Sequence, residues 1–276
     1  MMLLMQKYIT LEKLVGETPL SCAEDYRAKH PELEGVPMAY AGRLDPMASG
    51  KLLILLGEEC KHQEKYHSLD KEYEFSVLFG IESDSLDVLG RLGTCASADS
   101  THTDSDKSDL SQILESLTGP IELPYPRFSA KTVQGKPLHM WTLEGRLDEI
   151  EIPTRTSTIY SINQIKTETL PRTEIANLAR IKIDTIPPVT ELRKALGNDF
   201  RRVDVRADWE HIAANESLPG EYTIATFSCL ASSGTYMRTL ASIIAKKLGT
   251  CGLAWSIHRS KVGVYNAQQN SWTIEY

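Results

Sequence analysis

Asp45 stands in the stretch Ala41-Gly42-Arg43-Leu44-Asp45-Pro46-Met47-Ala48-Ser49-Gly50, ahead of the apolar run Leu52 to Leu56. A carboxylate in a glycine-framed loop can act as a nucleophile that forms and releases a covalent adduct. Spacing alone favours a plainer role, with Asp45 capping a helix and Pro46 at its first position. Arg238 follows Gly234-Thr235-Tyr236 in the first turn of a predicted helix. A guanidinium at hydrogen-bond range orients a carboxylate and favours its charged form. Tyr73 lies in the alternating run 71–79, where its phenol offers a ring for stacking together with a donor and an acceptor, or simply fills core. Between 121 and 140, Arg127, Lys131 and Lys136 are interleaved with Tyr125, Phe128, Pro124, Pro126, Gly135 and Pro137. Cations and aromatics in irregular chain suit contacts to RNA phosphates and unstacked bases.

These groups need elements to hold them. Tyr73, Phe75, Val77 and Phe79 alternate with Glu72, Glu74 and Ser76, the pattern of a half-buried strand. Residues 94–109 are crowded with Ser, Thr and Asp and read as a mobile surface loop. Leu110, Ile113, Leu114 and Leu117 predict a short helix over 110–118, stopped by Gly119-Pro120. A strand is expected around Thr158 to Ile165, and a helix over Thr190 to Leu196 between Pro187-Pro188 and Gly197. Farther on, a strand over Tyr222 to Cys229 leads through Ser232-Ser233-Gly234 into an amphipathic helix. Its apolar face is Tyr236, Leu240, Ile243, Ile244 and Leu248, and Gly249 ends it. Strands and helices interleave without a regular βαβ rhythm, an internal repeat or a glycine-rich phosphate loop, so the class is α+β.

Composition narrows the function. With 276 residues, 41% of them hydrophobic, the chain is long enough for a real core, and disorder throughout is excluded. No apolar run approaches the roughly 18–20 residues of a membrane span, and Met1 to Met5 is too short for a signal-peptide core, so a cytoplasmic location is expected. A net charge of -7 argues against a non-specific nucleic-acid binder but leaves room for a local basic groove. The histidines, His30, His62, His67, His102, His139, His211 and His258, form no H-x-x-x-H pair, so no metal is expected. Cys22, Cys60, Cys95, Cys229 and Cys251 are scattered without a C-x-x-C pair and are expected to be reduced.

Five blocks in order carry a resemblance. The stretch around Asp45 resembles G-x-L-D-P-x-A-x-G-x-L, the catalytic motif of the TruB family of tRNA pseudouridine synthases, and Asp45 falls on its catalytic aspartate. Lys71-Glu72-Tyr73 resembles the family's K-x-Y, and Gly80, Ser83-Asp84-Ser85-Leu86-Asp87 and Gly90 resemble the G-x-x-T-D-T-x-D-x-x-G that follows it. Pro126-Arg127-Phe128-Ser129-Ala130, continuing to Gln134-Gly135-Lys136, is similar to the thumb loop that grips RNA. Gly234-Thr235-Tyr236-Met237-Arg238-Thr239-Leu240 is close to G-T-Y-I-R-x-L, and Arg259-Ser260-Lys261-Val262-Gly263-Val264-Tyr265 resembles R-[RST]-x-x-V-G-x-[FY].

The resemblance implies a pseudouridine synthase fold: a mixed, largely antiparallel central sheet with flanking helices and an RNA-binding cleft. It implies a catalytic domain over 1–265, with a thumb-like segment at 121–150, an insertion at 150–220 and a short tail at 266–276 in place of a PUA domain. The implied reaction is cofactor-independent isomerisation of the tRNA T-loop uridine 55 by a monomer, with no metal. Asp45 would be the nucleophile, Arg238 its partner and Tyr73 a stacking platform that also moves a proton at C5. The base must be flipped out of its stack to reach them. Ile257 would close the uracil pocket or simply fill core, Tyr40, Gly42, Leu44, Phe128 and Tyr236 would bind substrate, and Arg43, Lys61, Arg127, Lys131 and Lys136 would meet RNA phosphates. The chain also departs from the pattern. Tyr40 replaces a common histidine, Thr132 a common lysine, and Leu14-Val15-Gly16-Glu17-Thr18-Pro19-Leu20-Ser21 reads as K-P-x-G-x-T-S without its Lys-Pro. Those losses keep open a non-catalytic RNA-binding or tRNA-folding paralogue, or a synthase for another RNA.

Overall fold

The computed structural model of the chain describes residues 6–95, 106–188 and 201–276. In chain order the elements are β1 (Tyr8–Lys13), α1 (Pro19–Ala28), β2 (Met38–Tyr40), β3 (Ala48–Leu56), α2 (Glu64–His67), β4 (Asp70–Phe79), β5 (Ile81–Ser83) and β6 (Leu92–Thr94). They continue as α3 (Asp106–Leu117), β7 (Gly119–Pro124), β8 (Thr132–Val133), β9 (Lys136–Pro137), α4 (Leu138–Leu143), β10 (Thr154–Pro171) and α5 (Arg172–Asp184). Last come α6 (Arg202–Ala214), β11 (Glu221–Ala231), α7 (Met237–Lys247), β12 (Gly252–Asn266) and β13 (Ser271–Glu275). The helix expected over 190–196 lies outside the described residues, as does most of the loop expected over 94–109; from Asp106 that loop is already helix.

One sheet organises these elements. Its order is β1-β3-β12-β4-β11-β10-β7, with β2 on β3 and β13 on β12. Every pairing is antiparallel except β3 with β12, where Ala48, Ser49 and Gly50 run parallel to Ile257, His258 and Arg259. Gly50 makes that approach possible: at φ +109° it occupies a region costly for other residues, and a methyl group there would sit 2.3 Å from the Arg259 carbonyl oxygen. β4 lies between β12 and β11, and Phe75, Ser76, Val77, Leu78 and Phe79 are all buried. The half-buried strand expected from its alternation is therefore partly exposed only over Glu72 to Glu74. α7 covers one face there with Leu240, Ala241, Ile244 and Ala245, as its 3.6-residue spacing predicts. The tail set apart from 266 folds back as β13 and extends the same sheet.

The 150–220 segment is ordered where it is described. β10 is the long strand beside β11, and α5 and α6 pack on each other through Ile175, Ala176, Ala179 and Ile183 against Val205, Trp209 and Ile212. The pair is tied to the loop at 83–91. Arg91 makes a two-pronged ion pair with Asp208, at 2.6 and 3.1 Å, the Trp209 indole donates to Val88 O at 3.3 Å, and Arg201 reaches Asp84 at 2.5 Å. One cysteine expectation fails. Cys95 and Cys251 are joined by a disulfide across 156 residues of sequence, leaving Cys22, Cys60 and Cys229 as free thiols. Sequence spacing carries no information about two residues that the sheet brings together.

Candidate active site

Asp45 does not cap a helix. The chain turns at Pro46-Met47, Ala48 N donates to Asp45 O at 3.0 Å, and β3 starts at once. Pro46 supplies the fixed φ that opens a turn as readily as a helix, and the apolar run behind it belongs to a strand. Register then assembles the surroundings. Ala48 pairs with Ile257, Ile257 with Phe75, and Tyr73 lies between Arg259 on one side and Cys229 on the other. Arg238 enters from the first turn of α7, after β11 has left the sheet through Ser232 to Tyr236.

The central contact is an ion pair. Arg238 Nε lies 2.8 Å from Asp45 Oδ2 and 3.7 Å from Asp87 Oδ2. The closer approach is electrostatic contact, not an aligned hydrogen bond. The guanidinium's other nitrogens donate to Ser85 O at 2.9 Å and Phe128 O at 3.2 Å. The Arg238 side chain is 4% exposed and that of Asp45 39%, so the carboxylate faces the cleft from a buried base. Burial works against the Arg238 charge, but Asp45 and Asp87 outweigh it and its pKa is raised. Asp87 accepts from Ser85 Oγ at 2.7 Å and Leu89 N at 3.0 Å, yet burial still raises its pKa above the usual carboxylate range. Burial also raises the Tyr73 phenol, so the ring suits stacking and hydrogen-bond donation better than service as a phenolate base.

A cleft of about 880 Å³ opens over this pair. Of the residues singled out in the sequence, Tyr40, Gly42, Arg43, Leu44, Asp45, Tyr73, Phe128, Tyr236, Arg238 and Ile257 line it. Four expected phosphate contacts do not. Lys61 pairs with Glu58 at 2.6 Å, Lys136 with Glu144 at 2.5 Å and the Trp141 ring, Lys131 lies over Tyr125, and Arg127 is exposed outside the lining. Arg43 is exposed at the cleft and lies 5.9 Å from the Tyr40 ring. Among the described residues no cluster of His, Cys, Asp or Glu is placed to hold a metal ion.

The loss of the supporting lysine is also corrected. Lys13 lies one position before the stretch read as lacking it, so Lys13-Leu14-Val15-Gly16-Glu17-Thr18 fits K-P-x-G-x-T with only the proline replaced. Its side chain is fully buried and its ammonium donates to Ala48 O and to Leu14 O. Gly16 N adds a bond to Pro46 O at 2.8 Å, so this segment braces the Asp45 turn from behind. Lys71, Arg155 and Arg259 line the cleft as well. Lys71 and Arg259 lie in recognised blocks, whereas Arg155 carries no local motif.

Comparison with known proteins finds relatives along most of the chain. The TruB family pseudouridylate synthase (N terminal domain) matches residues 33–183, more than half of the chain. A tRNA pseudouridine synthase B of Caldicellulosiruptor saccharolyticus is 28% identical over 95% of this chain and 69% of its own length. One from Syntrophus aciditrophicus is 32% identical over 57% of this chain and 47% of its own. The tRNA pseudouridine synthase 4 of Saccharomyces cerevisiae is 29% identical over 87% and 62%. Among solved structures, a chain of a Cbf5-Nop10-Gar1 complex aligns over 93% of this chain and 49% of its own, with a TM-score of 0.49 and 17% identity. The chain thus spans between about half and two thirds of these relatives' lengths. With the family matched across the Asp45 turn, the Tyr73 strand and the thumb segment, this chain belongs to the TruB family of pseudouridylate synthases.

Proposed function

We propose that the protein isomerises uridine to pseudouridine in tRNA, with the T-loop uridine at position 55 as its target and Asp45 as nucleophile. The observation that carries this reading is the half-exposed Asp45 carboxylate at the cleft, paired with a buried Arg238 that is itself fixed by Asp87 and two carbonyls. Relatives bearing the name tRNA pseudouridine synthase support the substrate class.

The steps balance without oxidant or water. Asp45 adds to the nucleoside at C1′ or C6 and the N1–C1′ bond breaks. The freed base turns in the cleft, C5 bonds to C1′, and Asp45 is released. The hydrogen on C5 leaves as a proton and N1 takes one up. Arg238 holds the carboxylate through addition and departure. Flipping the base out costs a few kcal/mol, and the Tyr73, Tyr236, Phe128 and Tyr40 rings that line the cleft can offset it at about 1–3 kcal/mol per stacked base. The reading carries with it action as a monomer on the T-arm, in the cytoplasm.

The test is tritium release from tRNA labelled at uridine C5. Wild type should release it, and Asp45→Asn should release none while binding the same RNA and melting within about 2 °C of wild type. Binding without release by wild type would sink the isomerase reading in favour of an RNA-binding paralogue.

A further inference from the structure

Four cations line the cleft without a carboxylate ion pair among the described residues: Arg43, which lies over the Tyr40 ring, Lys71, Arg155 and Arg259. Arg259 is 2% exposed and engaged with backbone, donating to Lys51 O at 2.8 Å and Arg43 O at 3.2 Å. Lys71 is 7% exposed and donates to Leu69 O. Arg155, on β10, is exposed, and its side chain makes neither an ion pair nor a hydrogen bond among the described residues. Its side chain lies across Gly234, where a methyl group would meet Arg155 Nε at 2.1 Å. Gly234, at φ +88°, is the turn that launches α7 and Arg238, so it leaves room for the guanidinium to lie flat on the cleft wall. Lys71 lines the same cleft, and its pKa is lowered by burial first and then by Arg259, with Arg155 near enough to add to the effect. An arginine laid against a wall with no counter-ion, beside a buried lysine with none, is a site wanting an anion. Within the RNA cleft the anion at hand is a phosphodiester.

We propose that Arg155, with Lys71 beside it, forms the site that holds an RNA backbone phosphate against the Gly234 wall of the cleft. The proposal rests on the reading of the cleft as an RNA site, but not on turnover. It also accounts for the charge pattern: Lys61, Arg127, Lys131 and Lys136 lie outside the lining, and Arg155 supplies a contact they do not.

The experiment is the salt dependence of binding to an unmodified tRNA transcript, for wild type, Arg155→Gln, Arg155→Lys and Arg155→Glu. One phosphate contact contributes about 0.7 to the slope of log K against log salt on single-stranded RNA, so its loss weakens binding about five-fold at 0.1 M salt. Arg155→Gln should show that loss and the shallower slope. Arg155→Lys should keep the slope, and Arg155→Glu should lose more than Gln does. Unchanged affinity and slope in both Gln and Glu variants, with wild type binding normally, would overturn this proposal alone. A wild type that binds no tRNA would overturn it together with the RNA reading. A wild type that binds, loses slope with Arg155→Gln and yet releases no tritium would support the phosphate site and reject only the isomerase.

Discussion

Replacing Lys13 by methionine should separate stability from activity. The side chain is fully buried, its ammonium is bonded to the Ala48 and Leu14 carbonyls, and burial pushes its pKa from 10.5 down to about 8. A gap of that size corresponds to about 3 kcal/mol. Its sign follows from proton counts. The unfolded chain keeps the proton up to about pH 10.5 and the folded one releases it near pH 8, so the folded state carries the full penalty below pH 8. Stability therefore rises with pH between about 8 and 10.5. Methionine has similar bulk and no charge, so Lys13→Met escapes the penalty at pH 7 but takes this donor from the buried Ala48 carbonyl, at about 1–3 kcal/mol, while Leu14 O keeps its bond from Glu17 N. The opposing terms nearly cancel, and stability at pH 7 should lie within about 2 kcal/mol of wild type. What disappears is the rise of about 3 kcal/mol on going to pH 10.5. Turnover should fall about tenfold or more, because Ala48, anchored by Lys13, closes the turn that aims Asp45. Urea unfolding of both proteins from pH 7 to 10.5, differenced to remove every titration they share, reads the effect. A difference between them that is the same at both ends of that range would refute the reasoning.

Three further expectations concern other groups. Arg238→Met should abolish turnover and cost about 3–5 kcal/mol in urea unfolding, because it strands the buried Asp87 and the carbonyls of Ser85 and Phe128; a loss under 1 kcal/mol would mean that the ion pairs contribute little. Burial, with Arg259 adding, brings the Lys71 pKa down to about 7, and a bound phosphate would favour its charged form, so tRNA affinity should fall as pH rises from 7 to 9 in wild type but not in Lys71→Met. Fluorescence anisotropy at each pH settles this, and parallel curves for the two proteins would contradict it. Alkylation of the unfolded, unreduced protein should label Cys22, Cys60 and Cys229 only, with Cys95 and Cys251 labelled after reduction; five labels at the outset would deny the disulfide.

Much of the site was legible because its chemistry sits in short, contiguous motifs. Asp45, Tyr73 and Arg238 each lie in one, and strand register brings the motifs together. What failed was whatever depended on direction or distance. Lys131 and Lys136 belong to the right segment, but a loop's sequence does not say which way its cations face, and here they lie on Tyr125, Glu144 and Trp141. Arg155 was invisible because its importance comes from lying across a glycine nearly 80 positions away. Lys13 was hidden because the proline that follows the lysine in the family's motif is Leu14 here, and only the buried ammonium marks its place. α5 escaped because small alanines hold half of its buried face, and alanine at helical spacing is a faint signal.

The two helices between β10 and β11 also bear on how this molecule comes apart. They are distant in sequence from the loop at 83–91, yet Trp209, Asp208 and Arg201 are bonded to it, and Arg201 lies 4.5 Å from the ring of Phe128, whose carbonyl receives Arg238. The helix pair cannot lift off without exposing a wholly buried tryptophan and releasing both the 83–91 loop and the thumb. Opening of this corner is thereby joined to disassembly of the catalytic centre in one cooperative unit, so its amides should share a single exchange free energy rather than fray as an appended surface hairpin would.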